Sequence, residues 1–179
     1  YRDQISRYDY LILADAEESG SKYWGTYVFK LGECEQYIVE IPRPLYEVNV
    51  FEFGVSLFSS INAKALFISG THPDANDDGS ADLIKKENRQ NIFTLANQVL
   101  LRENAKEPWT VLFCRSFAYR DFLPNTDKDL ILAPYIGKPL TDLLKERRNL
   151  LLRYLDRVGF SYTFADGNSS VVGYELGSF

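Results

Sequence analysis

The chain has 179 residues, 20 Lys plus Arg against 25 Asp plus Glu, a net charge of −5, 45% hydrophobic residues and 15% aromatic residues. That composition belongs to a globular domain and not to a disordered segment, and an acidic balance without a basic stripe excludes nucleic acid as the principal partner. No apolar stretch reaches the ~18 residues of a membrane span.

The length fits one domain, residues 1–179, with a core of ordinary size. The chain starts with Tyr and contains no Met, which reads as a piece of a longer protein. The two cysteines, Cys34 and Cys114, are too few for a disulfide scaffold, and Cys114 lies in an apolar run where a buried thiol is the usual outcome.

Tyr10–Ala14 is a compact apolar run that predicts a strand, and 15–22 is a polar loop. Trp24–Lys30 and Gln36–Ile41 are rich in aromatic and β-branched residues; the short connection 31–35 predicts that they pair as an antiparallel hairpin. Pro42-Arg43-Pro44 ends the second strand, because proline neither donates to the ladder nor extends it. Between Val48 and Ile61 the apolar residues Val50, Phe53, Leu57 and Ile61 recur at spacings of three and four, which predicts a buried helix.

Ala65–Ser69 predicts a buried strand that runs into Gly70, the only histidine (His72) and an acidic loop. A second helix is predicted over 88–103 on Ile92, Ala96, Val99 and Leu100, and a strand over 109–113. Leu130–Leu132, closed by Pro134, predicts a further buried strand. The stripe Leu140, Leu144, Leu151, Leu155 and Val158 predicts a helix that stops at Gly159. Residues 160–164 and 171–176 read as terminal strands. Helices alternating with short apolar strands predict an α/β fold: a three-layer sandwich with a mixed, mainly parallel sheet covered by helices on both faces.

In such sheets ligands bind beyond the carboxyl ends of the strands. If the strands ending at Ile41, Ser69, Phe113 and Leu132 run parallel, Arg43, Glu47, His72, Asp74, Arg115, Ser116 and Tyr135 share one rim. A histidine, carboxylates, arginines and a tyrosine there suit an anionic small ligand, with or without a metal. His72, as a base or metal ligand, would work with Glu47 or Asp74.

The acidic loop Asp74-x-Asn76-x-Asp78-Gly79-x-x-Asp82 has the first half of a calcium loop, with alternate side-chain oxygens and a glycine for the sharp turn. Lys85 stands where that loop carries a bidentate Glu. The alternative is a polar turn whose Asp and Asn side chains bond their own backbone. No GxSxG, GxxxxGK[ST] or GxGxxG occurs. The basic run from Lys145 to Arg157 is interleaved with Asp142, Glu146 and Asp156 and reads as a solvated helix face.

The strand–helix–strand segment from Ile38 to His72 resembles the zinc carboxypeptidase and N-formylglutamate amidohydrolase superfamily. In those enzymes a metal-binding His and an acidic residue follow a strand, a second His follows a later strand, and a catalytic Glu lies near the domain end. Here Pro42–Glu47 occupies the first motif, with Arg43 in place of the His. His72 matches the second His, Glu175 the general acid/base, and Arg115 or Arg120 the substrate-carboxylate binders. An arginine puts a fixed positive charge where a divalent cation should sit. The resemblance therefore implies a degenerate, hydrolase-like domain that binds a ligand, a protein partner or the remainder of a larger protein. The alternatives are an active metal-dependent hydrolase of amide or peptide-type bonds with Zn2+ at His72, and an extracellular module stabilised by Ca2+ at Asp74–Asp82.

Overall fold

The computed structural model describes residues 8–14, 23–103, 109–117, 128–133 and 141–164. The chain divides into two compact units, Tyr1–Ser116 and Phe117–Phe179. The first holds β1 (Asp9–Leu13), β2 (Thr26–Leu31), β3 (Glu35–Ile41), α1 (Val50–Ser60), β4 (Ala63–Ile68), α2 (Ile92–Glu103) and β5 (Thr110–Phe113). These strands form one mixed sheet in the order β1-β2-β4-β3-β5. β1–β2 and β2–β4 are antiparallel, and β3–β4 and β3–β5 are parallel. The fold is α/β.

The expected β2–β3 hairpin does not form: β4 lies between the two strands. Ala63, Ala65, Leu66 and Phe67 are all buried. A run apolar on both faces needs a strand neighbour on each side to satisfy its backbone, and an edge position would leave half of those groups unpaired. The short connection between β2 and β3 passes over the start of β4, where Asn62 fastens it. The Asn62 side chain accepts from Lys30 Nζ (3.0 Å) and donates to the Glu33 carbonyl, while its own carbonyl accepts from Glu35 N (2.8 Å).

The two central strands carry the core. On one face Gly54 of α1 lies over β3, and a Cβ there would come 2.5 Å from Ile41 Cδ1, so the close approach of helix to sheet requires glycine. Along β3 the neighbouring side chains alternate sides. Ile38 joins Ala65, Phe67, Tyr27 and the α2 residue Phe93 in a separate cluster. Phe67, fully buried, makes edge-to-face contacts with Tyr27 (5.1 Å), Phe29 (5.8 Å) and Phe93 (5.9 Å). Such pairs add about 0.5–1.5 kcal/mol each beyond area burial.

The edge strand β1 is half exposed at Leu11, Ile12 and Leu13. Two buried ionisable side chains, Lys30 and Glu40, interrupt the apolar strands β2 and β3. Lys30 places its ammonium over the rings of Tyr8 (4.4 Å) and Phe58 (5.2 Å), and burial pulls its pKa down while Cys34 pushes it back up. Glu40 lies in β3 beside its strand partners Phe67 and Phe113.

α2 begins at Ile92, four residues later than the apolar spacing predicts. Asn91 is its cap, accepting from Thr94 N (2.7 Å) through its side chain and from Leu95 N through its carbonyl. The preceding residues are spent on a 3-10 turn over Lys86–Asn88.

In the second unit β6 (Leu130–Leu132) pairs parallel with β7 (Tyr162–Phe164), and α3 spans Asp142–Val158. β6 therefore belongs to a two-stranded sheet, and not to the five-stranded sheet with which its apolar character had grouped it. α3 ends as the glycine predicts: Gly159 is left-handed (φ 81°), Phe160 N bonds the Leu155 carbonyl and Gly159 N the Asp156 carbonyl. The terminal strand expected at 171–176 lies outside the described residues.

Among the described residues no helix is long and apolar enough to cross a membrane.

Candidate functional site

Because β3, β4 and β5 run parallel, the loops that leave Ile41, Ile68 and Phe113 issue from one edge of the sheet. The strand ends are locked in register, with Ser69 N bonding the Ile41 carbonyl (3.0 Å) and Cys114 N the Glu40 carbonyl (2.8 Å). After Pro42 the chain turns tightly, with Tyr46 N and Glu47 N both donating to the Arg43 carbonyl. That turn aims the Arg43 and Glu47 side chains toward each other.

The result is an ionic network that draws together four of the candidate residues. Arg115 Nε donates to Glu47 Oε1 (2.5 Å) and Ser116 N donates to Glu47 Oε2 (2.8 Å). Arg43 lies 3.6 Å from Glu47 Oε1 through Nη1 and grips Asp82 with a two-pronged fork, Nε to Oδ1 (3.1 Å) and Nη2 to Oδ2 (2.6 Å). The carboxylates of Glu47 and Asp82 are each only 5% exposed. Burial alone would raise the Asp82 pKa, but the Arg43 fork, the Ile84 N–H and the Lys85 charge outweigh it and hold the carboxyl below its ordinary value.

The Arg43 guanidinium also sits 5.6 Å from the Tyr46 ring, which meets His72 edge-on at 5.2 Å. His72 Nδ1 accepts from Asp74 N (3.1 Å). His72, Arg43, Glu47, Asp82 and Arg115 thus occupy one neighbourhood, with Tyr46 as the piece between them. Glu47 is held by guanidinium groups, whereas His72 is held by a ring and a backbone amide. The predicted residues Glu175, Arg120 and Tyr135 lie outside the described residues.

The acidic loop takes the self-bonded form. Asp78 accepts from Ser80 N (2.9 Å), Asn76 donates to Ser80 Oγ (2.7 Å), and Asp82 turns to Arg43. Asn88 reaches back to the carbonyls of Gly79 and Asp82 (2.8 Å each). The Ser80 hydrogen bonds hold the Asp78 carboxyl below its ordinary value, and Lys85, at the twelfth position with its ammonium near Gly79, adds a smaller contribution. Three of the four residues that the calcium reading assigns to Ca2+ are thus engaged by donors or acceptors of the chain itself, Asn76 and Asp78 by Ser80 and Asp82 by Arg43. Among the described residues no three His, Cys, Asp or Glu side chains gather at metal-binding range. Millimolar calcium is accordingly expected to leave the melting temperature unchanged. A saturable, chelator-reversible rise measured by calorimetry would restore the calcium loop.

Around this network the surface is apolar. Leu45, Tyr46, Val48 and Phe51 are 66%, 54%, 75% and 43% exposed. They border an open groove of about 610 Å³ whose floor includes Ile68, Ser69 and Gly70. Pattern reading missed this feature, because the apolar segment from Val48 to Ile61 reads as one buried helix.

On the α2 side of the same strand ends lies a second polar group that the sequence reading passed over. Burial raises the Glu40 carboxyl to about 8, and its partner is the Asn97 side-chain amide. Burial, with Glu40 beside it, pushes the Cys114 thiol up to about 12, so Cys114 is an inert core residue at neutral pH. Neither Cys34 nor Cys114 forms a disulfide.

Compared with known proteins, the chain matches no family model, no curated protein and no solved structure.

Proposed function

We propose that the chain is a protein-binding module whose contact surface is the loop Pro44–Phe51 and the groove beside it. The observation that carries this reading is the pairing of two features on one turn. Four large apolar side chains stand in solvent, and directly beneath them a buried ionic network fixes the loop that bears them. Contiguous exposed apolar surface rimmed by polar groups marks interaction sites, and rigid presentation lowers the entropic cost of binding.

The degenerate, hydrolase-like ancestry implied by the Ile38–His72 segment belongs to the same proposal. In it Arg43 has become a structural cation that neutralises Glu47 and Asp82, where a metal would have done so in an enzyme. The three-layer form, with helices on both faces of a mixed, mainly parallel sheet, is part of it too. It is supported by α1 lying over Ile41 and α2 clustering with Ile38, and by the parallel β3–β4 and β3–β5 pairs, which stand beside the antiparallel β1–β2 and β2–β4 pairs. A metal-dependent hydrolase using His72 with Glu47 would first have to strip Glu47 of Arg115 and Ser116, a costly exchange at a buried carboxylate.

The test is a selection of peptides from a random display library on the wild-type chain and on a Leu45→Asp/Val48→Asp variant. Both positions are exposed, so the variant is expected to fold normally. Sequences with apolar anchors are expected to enrich on the wild type and to be lost on the variant. Equal enrichment on both, or none on either, would overturn the proposal.

A further inference from the structure

Resting on that binding reading, we infer that the segment this face receives is amphipathic and basic, a short stretch of a partner protein carrying Lys or Arg beside its apolar anchors. The inference comes from the charges that the rim spends on itself and those it turns outward. Inside the network two guanidinium groups, Arg43 and Arg115, face two carboxylates, Glu47 and Asp82, so the buried charges balance. Lys85 is exposed, and its charge acts on Asp78.

What faces solvent around the apolar knobs is acidic. Glu52, in the first turn of α1, lines the groove and is exposed. Across the Tyr46–His72 contact stands Asp74, its side chain 79% exposed and 3.9 Å from His72 Nδ1, and Asp77 follows it in the same exposed loop. The groove therefore carries one exposed carboxylate, Glu52, in its own lining, and a second, Asp74, beside the His72 ring that contacts the lining residue Tyr46. Complementary charge at a rim steers encounter and discriminates between partners, while the apolar anchors supply most of the affinity. An acidic or neutral segment with the same anchors would meet repulsion or no attraction at Glu52 and Asp74.

The test measures, by fluorescence anisotropy, the affinity of a peptide recovered in the selection above. It is compared with the same peptide whose Lys and Arg are replaced by glutamine, on the wild type and on a Glu52→Gln/Asp74→Asn variant. The glutamine peptide is expected to bind about five- to tenfold more weakly to the wild type, with the difference shrinking at high salt and disappearing on the variant. If the recovered peptides carry no basic residues, or if the glutamine peptide binds equally well while Leu45→Asp/Val48→Asp still abolishes binding, the charge inference fails and the binding surface stands. If binding ignores Leu45 and Val48 as well, both fail.

Discussion

The Glu40→Gln substitution is expected to stabilise the protein at neutral pH by about 3 kcal/mol, an unusual direction for a change at a fully packed position. The Glu40 carboxyl lies among Phe67 and Phe113 with the Asn97 amide as its partner, and burial lifts it from its ordinary 4.5 to about 8. The unfolded chain loses that proton near pH 4.5 and the folded chain keeps it until about pH 8. Folding therefore binds a proton, and stability is full below pH 4.5 and falls as pH rises through 8. Each unit of separation amounts to about 1.4 kcal/mol, so some two and a half units separate neutral pH from the unfolded value. Glutamine keeps the shape, carries no charge to lose and offers an N–H2 to Asn97 Oδ1, which has no partner among the described residues. Urea unfolding across pH should show a wild-type decline between pH 4.5 and 8 and a flat Glu40→Gln profile. Parallel profiles would mean that Glu40 is ionised and solvated in the folded state.

The second large effect is expected at Glu47. The Glu47→Ala substitution removes the acceptor shared by Arg115 Nε and Ser116 N and the near neighbour of Arg43. Breaking a buried ion pair by deleting one partner costs about 3–5 kcal/mol, because the remaining charge is left uncompensated. The Glu47→Gln change keeps one acceptor and the volume, and should cost roughly half of that. Amide hydrogen exchange in the loop Pro44–Val48 should accelerate in step. A catalytic carboxylate behaves in the opposite way, since replacing a residue held for chemistry usually leaves stability unchanged or higher. A Glu47→Ala variant as stable as the wild type would therefore favour the hydrolase reading. At the acid end the Asp82 pair acts with the reverse sign to Glu40. Its lowered pKa contributes stability that is present above the ordinary carboxylate value and is lost as pH falls through the folded one.

Much of the architecture was legible because it is written in local periodicity. The apolar spacing around Leu57 and around Leu155 placed α1 and α3, and Gly159 stopped α3 at its left-handed turn. Strand existence followed from runs such as Ala65–Ile68. Pairing did not, because it depends on which strand needs two neighbours. The short connection through Gly32 reads as a hairpin, yet β4, buried at Ala63, Ala65, Leu66 and Phe67, takes the place between β2 and β3. Leu130–Leu132 likewise has the composition of a core strand, but composition does not name the sheet that it joins.

For the site, parallel strands with loops at their carboxyl ends explain why Arg43, Glu47, His72 and Arg115 converge from distant parts of the chain. Their roles were less visible. Whether a carboxylate faces a metal or a guanidinium depends on side-chain geometry that spacing does not carry. Glu40 and Lys30 were overlooked as buried charges, although a lone charge inside an apolar strand such as Tyr37–Ile41 is itself the signal.

The binding surface is tested most directly by mapping backbone amide shifts in NMR spectra as a selected peptide is titrated into the full chain. The account predicts that the perturbed amides cluster at Leu45–Glu52, Ser69–Gly70 and His72–Asp74. Perturbations confined elsewhere, for instance to the exposed edge strand Asp9–Leu13, with the loop Pro44–Phe51 unchanged, would contradict it.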